Sequence, residues 1–498
     1  MGGKAVAESK WRWSAILTLP DGRRVFLKRD RTKGWSEFFK YFFLPSKGRK
    51  EWFIAHQLEK RNLNIPKPLG WMERVHRGLV KESYYISEAI GSGVSLIKET
   101  DILRDQGTLM ELAKLMRKIH DSGLFHRDLH AGNFLWDGES FFLTDLHRAK
   151  IIRALSINQR LWNLSHLFHS LRSIWGESDQ LRFLEKYFRE ESISCKKIEE
   201  YLQRIHSWMD LLQKKQWRSR TKRCLKESSE FSVKKEKGVV VYCRKDFLYD
   251  RLRRVIEDHL SFVKERASEL AKHSPEVMVS LLDDGENRIC VKQFCYPDLW
   301  SRFKEGFRLS KGLRAWVGGN GLGVRGISSI RPLALLERES WFGLIESFFV
   351  MEASETGEEM DRYIFKGFDG FEEKRLFVKD FTRWLSQLHQ KKIYHQDMKT
   401  CNIIVSKDSK TWKFRLLDLE DVLLDEKVDE KKLFKNLIQL NTSTPKVMRR
   451  NDRFRFFKEY LRLNPIVRSP KRFLRELIEK SHQRGLTYVS PQGLVEEK

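Results

Sequence analysis

Asp128, Asn133 and Asp145 are the residues whose types and spacing most clearly point to chemistry. They lie in a stretch reading H-R-D-L-H-A-G-N-F-L-W from His126, followed by a polar turn at Asp137 to Ser140 and then F-F-L-T-D-L-H-R-A-K to Lys150. Phosphoryl transfer from ATP needs a carboxylate to orient the acceptor hydroxyl, and an amide oxygen plus a second carboxylate to hold magnesium. Asn133 lies five residues after Asp128, the spacing of a kinase catalytic loop, and the apolar run Phe141 to Thr144 is a predicted strand delivering Asp145 at its end. A turn that merely caps local backbone would account for an Asp and an Asn, but not for the strand-borne Asp145.

The constellation returns. His395 to Val405 reads H-Q-D-M-K-T-C-N-I-I-V and Phe414 to Glu420 reads F-R-L-L-D-L-E, so Asp397, Asn402 and Asp418 repeat the three roles. Lys399 stands two residues after Asp397, where a lysine can contact the transferred phosphate. Two patterns with no catalytic part recur as well: D-x-x-R-F-x-x-x-Y at Asp179 to Tyr187 and Asp452 to Tyr460, and His120-x5-His126 matched by His389-x5-His395. The histidines have no accompanying Cys or carboxylate set that would make a metal site.

Other elements must position these groups. Trp11 to Pro20 and Arg23 to Lys28 are predicted strands joined by Asp21-Gly22, a hairpin signal that places Lys28 on the second strand. A kinase needs a lysine on such a strand for the α and β phosphates, and a helix glutamate to hold it; Glu51, opening a helical segment that stops at Ile65-Pro66, is the candidate. Only a short polar stretch precedes Trp11, and no G-x-G-x-x-G is present, so the phosphate-covering loop is missing or atypical. Leu109, Leu112, Leu115, Met116 and Ile119 form one stripe of a predicted helix ending just before His126. In the second half, Val277 to Val291 is a predicted hairpin closed by Lys292, and Asp250 to Lys272 a long exposed helix. The glycines at 318, 319, 321 and 323 are expected to form a flexible turn. Counting 23 residues from Lys28 reaches Glu51, but 23 from Lys292 reaches Ala315, so the carboxylate that pairs the lysine is expected to be absent in the second copy.

Length and composition fit two such domains. The chain has 498 residues, 41% hydrophobic and 33% charged, with no apolar run long enough to span a membrane and no apolar core of a signal peptide at its start. Six cysteines form no C-x-x-C pair, so reduced thiols and a cytoplasmic setting are expected. The boundaries read as 1–222, a charged linker at 223–240, and 241–498. A net charge of +27 favours anionic partners, whether nucleotides, nucleic acid or an acidic membrane surface. No zinc knuckle, helix-turn-helix or aromatic RNA-binding motif supports specific nucleic-acid binding.

The first half resembles bacterial lipopolysaccharide core kinases, which phosphorylate heptose or Kdo sugars, most closely at D-L-H-R-A-K (Asp145 to Lys150). The second half resembles the Kdo-kinase branch through S-K-G-L-R-A-W (Ser310 to Trp316) and G-I-S-S-I-R-P-L-A-L-L-E (Gly326 to Glu337). The resemblance implies an α+β architecture, a tandem duplication of a bilobal protein-kinase-like fold with a β-rich N-lobe and a helical C-lobe in each half. It also implies ATP and Mg2+ as cofactors, and as acceptor a sugar hydroxyl of an anionic glycolipid, the lipopolysaccharide core, at the cytoplasmic face of the inner membrane. A protein kinase would need a long activation segment ending in A-P-E. Neither half has one: the gaps Asp145 to Asn163 and Asp418 to Asn436 are both 18 residues (163 − 145, 436 − 418), each Asn-Leu already opening a helical run. Other small-molecule kinases and a partly inactive pseudokinase scaffold are the remaining alternatives.

Overall fold

The computed structural model describes residues 3–91, 95–98, 100–298, 309–341, 343–353, 357–409, 411–490 and 493–497. The chain divides into two compact units, Met1–Lys214 and Lys215–Lys498.

In the first unit, β1 (Gly3–Glu8), β2 (Arg12–Thr18), β3 (Arg24–Arg31), β4 (Pro68–His76) and β5 (Leu79–Glu88) form an antiparallel sheet in the order β1-β2-β3-β5-β4. The β2–β3 turn is built as its residues dictate: Gly22 takes φ +82°, and Asp21 Oδ1 accepts the Arg23 N–H at 3.0 Å. The polar stretch before Trp11 is itself a strand, β1, paired along β2. Between β3 and β4 come α1 (Gly34–Phe43) and α2 (Lys47–Glu59). Ser46 caps α2 by accepting the Arg49 N–H at 3.3 Å and donates its own hydroxyl to Glu73 at 2.5 Å. Gly48 lets α2 lie directly on β5, for a Cβ there would stand 2.4 Å from the Tyr84 carbonyl oxygen. One turn further on, Glu51 therefore faces the sheet.

The helical part of this unit contains α3 (Gln106–Asp121), α4 (Ile157–Leu171), α5 (Glu177–Tyr187) and residues 195–214 of α6 (Cys195–Thr221). The predicted stripe Leu109 to Ile119 is buried on α3 and packs with Leu164, Phe168 and Phe183. Each such side chain contributes roughly 1.5–3 kcal/mol of burial. Between α3 and α4, short strands pair Leu124–His126 with Ala149–Ile151 and Phe134–Trp136 with Phe141–Leu143.

The second unit repeats this order and adds to it. Its strands are β6 (Phe231–Glu236), β7 (Val239–Arg244), β8 (Lys272–His273), β9 (Val277–Asp283), β10 (Arg288–Cys295), β11 (Pro332–Ser340) and β12 (Gly343–Glu352), in the sheet order β8-β9-β10-β12-β11-β7-β6. The first five follow the pattern of β1 to β5; β6 and β7 extend the edge. Within 223–240, expected as a linker, residues 231–236 and 239–240 are strands of this sheet. Lys234 and Lys235 crowd that segment with charge because they lie on an outermost strand, where charged side chains also block further pairing. The helix expected to be long and exposed is shorter, α7 (Tyr249–Glu265), and packs Leu252, Val255 and Ile256 against Val241, Val291 and Phe348. Val291 and Lys292 are neighbours on a strand and point to opposite faces, so α7 covers the side of the sheet away from Lys292.

Helix α8 (Lys311–Val324) contains the glycines expected to form a flexible turn. Gly318, Gly319 and Gly321 form its packing face, while Gly323, near its end, is exposed. A Cβ on Gly318 would lie 2.5 Å from the Leu419 carbonyl oxygen, and one on Gly321 would lie 2.2 Å from the Leu424 Cδ1. Helix α9 (Met360–Lys366) follows β12; α10 (Phe371–Gln390), α11 (Glu430–Ser443), α12 (Arg450–Leu463) and α13 (Pro470–Arg484) complete the helical part.

The non-catalytic repeats have structural explanations. His120 Nδ1 and the Tyr187 hydroxyl lie 2.6 Å apart in the buried core, and His389 Nδ1 and the Tyr460 hydroxyl lie at the same 2.6 Å. Asp179 and Asp452 each cap their helix by accepting a backbone N–H three residues back, at 3.0 and 3.1 Å.

Candidate active sites

In the first unit, Lys28 on β3 donates to Glu51 Oε2 at 2.8 Å and also bonds Asp145 Oδ1. The Leu146 N–H donates to the other Glu51 oxygen at 3.2 Å, so Glu51 ties the sheet lysine to the loop carrying Asp145. Burial would pull the Lys28 ammonium down; Glu51 and Asp145 outweigh it and hold the pKa above its ordinary value. Burial would likewise raise Asp145, but a bond with His147 Nδ1 at 2.7 Å and the Lys28 charge hold it far below the usual carboxylate range. Removing one partner from so buried a pair costs about 3–5 kcal/mol.

Asp145 itself sits in the left-handed region, φ +60° and ψ 45°, which turns its carboxylate back toward β3. His126 holds that loop. Burial pushes its ring down to about 4, so the imidazole is neutral; Nδ1 accepts the Asp128 N–H at 3.2 Å and Nε2 donates to the Asp145 carbonyl at 3.1 Å. Asn163 on α4 clasps the His126 backbone through both its N–H and its carbonyl, at 3.3 and 2.5 Å. Asp128 faces Arg148 and has His166 Nδ1 at 3.6 Å. The His166 contact, then the charges of His130 and Arg148, bring Asp128 down to about 2 against the opposing effect of burial. It is a carboxylate at any physiological pH.

Asn133 is fixed next to Asp145 by two backbone contacts: its carbonyl accepts the Thr144 N–H at 2.7 Å, and its Oδ1 accepts the His130 N–H at 2.9 Å. An amide oxygen and a carboxylate are the oxygen donors that suit a hard divalent cation. Asp145 Oδ1 is engaged by Lys28 and His147, whereas Oδ2 faces the Arg12 guanidinium at 3.8 Å. Arg12 starts β2, immediately after the glycine-free connection Ser9 to Trp11 that joins it to β1.

The second unit assembles the same residues by another route. Lys292 donates to Asp418 Oδ1 at 2.7 Å and to Glu420 Oε1 at 2.5 Å. The lysine therefore has a second carboxylate after all, supplied by Glu420 rather than by the helix. Ala315 does occupy the position of Glu51: Ser46, Gly48, Glu51 and Glu73 map by one offset of 264 (310 − 46, 312 − 48, 315 − 51, 337 − 73) onto Ser310, Gly312, Ala315 and Glu337. Ser310 caps α8 and bonds the buried Glu337 just as Ser46 bonds Glu73. Glu420 stands two residues past Asp418, where the first unit has His147 two past Asp145. Burial pushes Glu420 up, as does the neighbouring Asp418, while Lys292 offsets burial to hold Asp418 down.

Asp418 is also left-handed, φ +45°. His395 accepts the Asp397 N–H at 3.3 Å and donates to the Leu417 carbonyl at 3.1 Å. Asp397 receives Lys399 at 3.1 Å, Asn402 Nδ2 at 3.2 Å and Gln439 Nε2 at 3.2 Å. Gln439 thus stands where His166 stands, each three residues past the clasping asparagine. Every residue expected at a site is accordingly found in one of the two clusters. The sequence reading missed Arg12, Arg148, His166, Gln439 and Glu420; only the offset of 273 between the two Asn-Leu helices (436 − 163) signalled the pair His166 and Gln439.

Each cluster, a strand lysine bridged to a loop carboxylate beside an Asp and Asn five residues apart, has the layout of a protein-kinase-like phosphotransfer centre. A model of the family described as "Lipopolysaccharide kinase (Kdo/WaaP) family" matches residues 3–187 and 320–460, and the chain belongs to that family. It is an ATP-using phosphotransferase. The chain is similar to the lipopolysaccharide core heptose(I) kinase WaaP of Escherichia coli (strain K12), 26% identical over 209 residues that span 38% of this chain and 78% of that protein. It is similar also to a 3-deoxy-D-manno-octulosonic acid kinase of Stenotrophomonas maltophilia (strain R551-3), 29% identical over 177 residues, 35% of this chain and 64% of that protein. A solved structure titled "WaaP in complex with acyl carrier protein" aligns with a TM-score of 0.33 and 22% identity over 42% of this chain and 87% of that one.

Proposed function

We propose that each unit transfers the γ-phosphate of ATP, with Mg2+, to a sugar hydroxyl of the lipopolysaccharide inner core, a heptose or a Kdo residue. Lys28 held by Glu51, and Lys292 in the second unit, grip the nucleotide phosphates. Asn133 with Asp145, and Asn402 with Asp418, carry the metal, which supplies charge neutralisation on the β and γ phosphates. Asp128 and Asp397 orient the acceptor hydroxyl, and Lys399 approaches the phosphate in transit. The acceptor is anionic and embedded in a bilayer, so the chain works at the inner face of the membrane. No described helix is long and apolar enough to cross one.

The observation that carries this reading is the short path from each metal-site Asp to its next helix. Asn163 bonds back to His126, and Asn436 Nδ2 to the His395 carbonyl at 2.9 Å, leaving no length for a peptide-docking segment. A glycan fits that geometry. The test is incubation with radiolabelled ATP and, separately, core glycolipid, peptide and aminoglycoside acceptors. Label in the glycolipid alone is expected; label in the peptide would replace this reading with a protein kinase.

A further inference from the structure

Helix α1 of the first unit has no buried residue. Trp35, Phe39, Phe42 and Phe43 are 74, 67, 69 and 86% exposed, and Leu44 beyond them is 54% exposed. At 100° per residue, the four aromatics lie within about 100° of one another around the helix axis, so they form one face. The inner face is satisfied: Phe38 receives Lys81 over its ring at 4.8 Å, and Glu37 is bonded to Lys47 at 3.0 Å and to the Lys33 N–H. Nothing in the fold requires four outward aromatics on ten residues, and in water they cost solubility.

The charges beside this face indicate what covers it. Lys33 and Lys40 border it, and Lys50 stands on α2. Burial first, then the charges of Arg127 and Lys40, lower Lys50. Lys40 and Arg127 therefore both lie within electrostatic reach of Lys50, and among the described residues Lys40, Lys50 and Arg127 have no carboxylate partner. Arg127 directly precedes Asp128. An aromatic face bordered by unpaired cations is the pattern of a helix lying in a bilayer interface, with its rings at the acyl boundary and its cations at anionic headgroups. The net charge of +27 on the whole chain suits the same anionic surface.

We infer that α1 is an interfacial membrane helix, inserting Trp35, Phe39, Phe42 and Phe43 into an anionic bilayer beside the catalytic loop of the first unit. This deepens the proposed membrane-embedded acceptor by naming the element that meets the bilayer. The test is sedimentation of the full chain with vesicles of phosphatidylethanolamine and phosphatidylglycerol, without any acceptor, so its result stands whichever sugar is phosphorylated. The triple change Phe39→Ser, Phe42→Ser, Phe43→Ser should weaken vesicle binding on the order of 10²-fold. Thermal stabilisation by ATP and Mg2+ in the same variant should be unchanged, showing an intact fold. Lipids brominated high in the acyl chain should quench the wild-type emission, and Trp35→Phe should remove that quenching. Unchanged pelleting of the triple variant, unchanged quenching in Trp35→Phe, or self-association through this face without vesicle binding would each overturn the inference.

Discussion

The two lysines do the same job with different carboxylates. In the first unit the second partner, Glu51, comes from a helix, and the position two after Asp145 is a histidine. In the second unit the helix offers Ala315, and the position two after Asp418 is Glu420. The carboxylate has moved across the site while its charge and its contact with the lysine are kept. What the site demands is therefore a second negative charge within reach of the ammonium, not a particular element to carry it. The arrangements differ in their consequence: Glu51 links the lysine to a helix, whereas Glu420 links it only to the loop that already bears Asp418.

The largest effect expected is on transfer itself. Asp128→Ala and Asp397→Ala should each reduce turnover at their own site by ~10² to 10⁴ with ATP binding retained, and only the double variant should be silent. Loss of all turnover from either single change would mean that the units share one site.

Next comes the exchange of carboxylates. Glu51→Ala should destabilise the first unit by about 3–5 kcal/mol, and adding His147→Glu should recover roughly 1–3 kcal/mol of that, as read by denaturant unfolding. Ala315→Glu in the second unit should lower stability by about 1–3 kcal/mol, because residue 315 is fully buried and a third carboxylate would crowd Asp418 and Glu420. Tighter nucleotide binding by Ala315→Glu in calorimetry would show instead that Glu420 does not hold Lys292.

A third effect is common to both units. Burial lowers His120 to about 3, and His126 and His389 to about 4. In the unfolded chain they titrate near 6.5, so between these values the unfolded state binds more protons. Stability should be greatest above about pH 7 and fall by up to about 1.4 kcal/mol per pH unit for each histidine on the way down to pH 4. His126→Gln should flatten that slope; an unaltered slope would assign it to other groups. Smallest is the cap: Ser46→Ala and Ser310→Ala should each cost about 1 kcal/mol in thermal unfolding, and equal losses would support equivalent roles for the two helices.

Much of this comparison was legible in the residues. Lys28 and Lys292 were placed by hairpins whose turn chemistry is local, and Asp128, Asn133 and Asp145 by spacing that a catalytic loop imposes. Glu420 was not found because its role depends on where α8 brings Ala315, a fact of packing between elements distant in the chain. The glycines of α8 misled for the same reason. Glycine locally signals a turn, but here close contact with the Asp418 loop pays for its poor helix propensity. The segment 223–240 read as a linker because charge marks solvent exposure, and an outermost strand is exposed too.

The hairpin after each catalytic loop shows where the two units are free to drift apart in length. In the first unit it runs from Phe134 to Leu143, and in the second from Ile403 to Leu416; the rungs at the base, Phe134 with Leu143 and Ile403 with Leu416, are the same. The four additional residues lie beyond that base, toward the tip. Below it, the Asn133 and Asn402 carbonyls keep their bonds to the N–H of Thr144 and Leu417, the residues preceding Asp145 and Asp418, so growth at the tip does not reach those carboxylates. A reporter peptide spliced in at Asp137 to Ser140 would extend the protein along a route its second half has already taken.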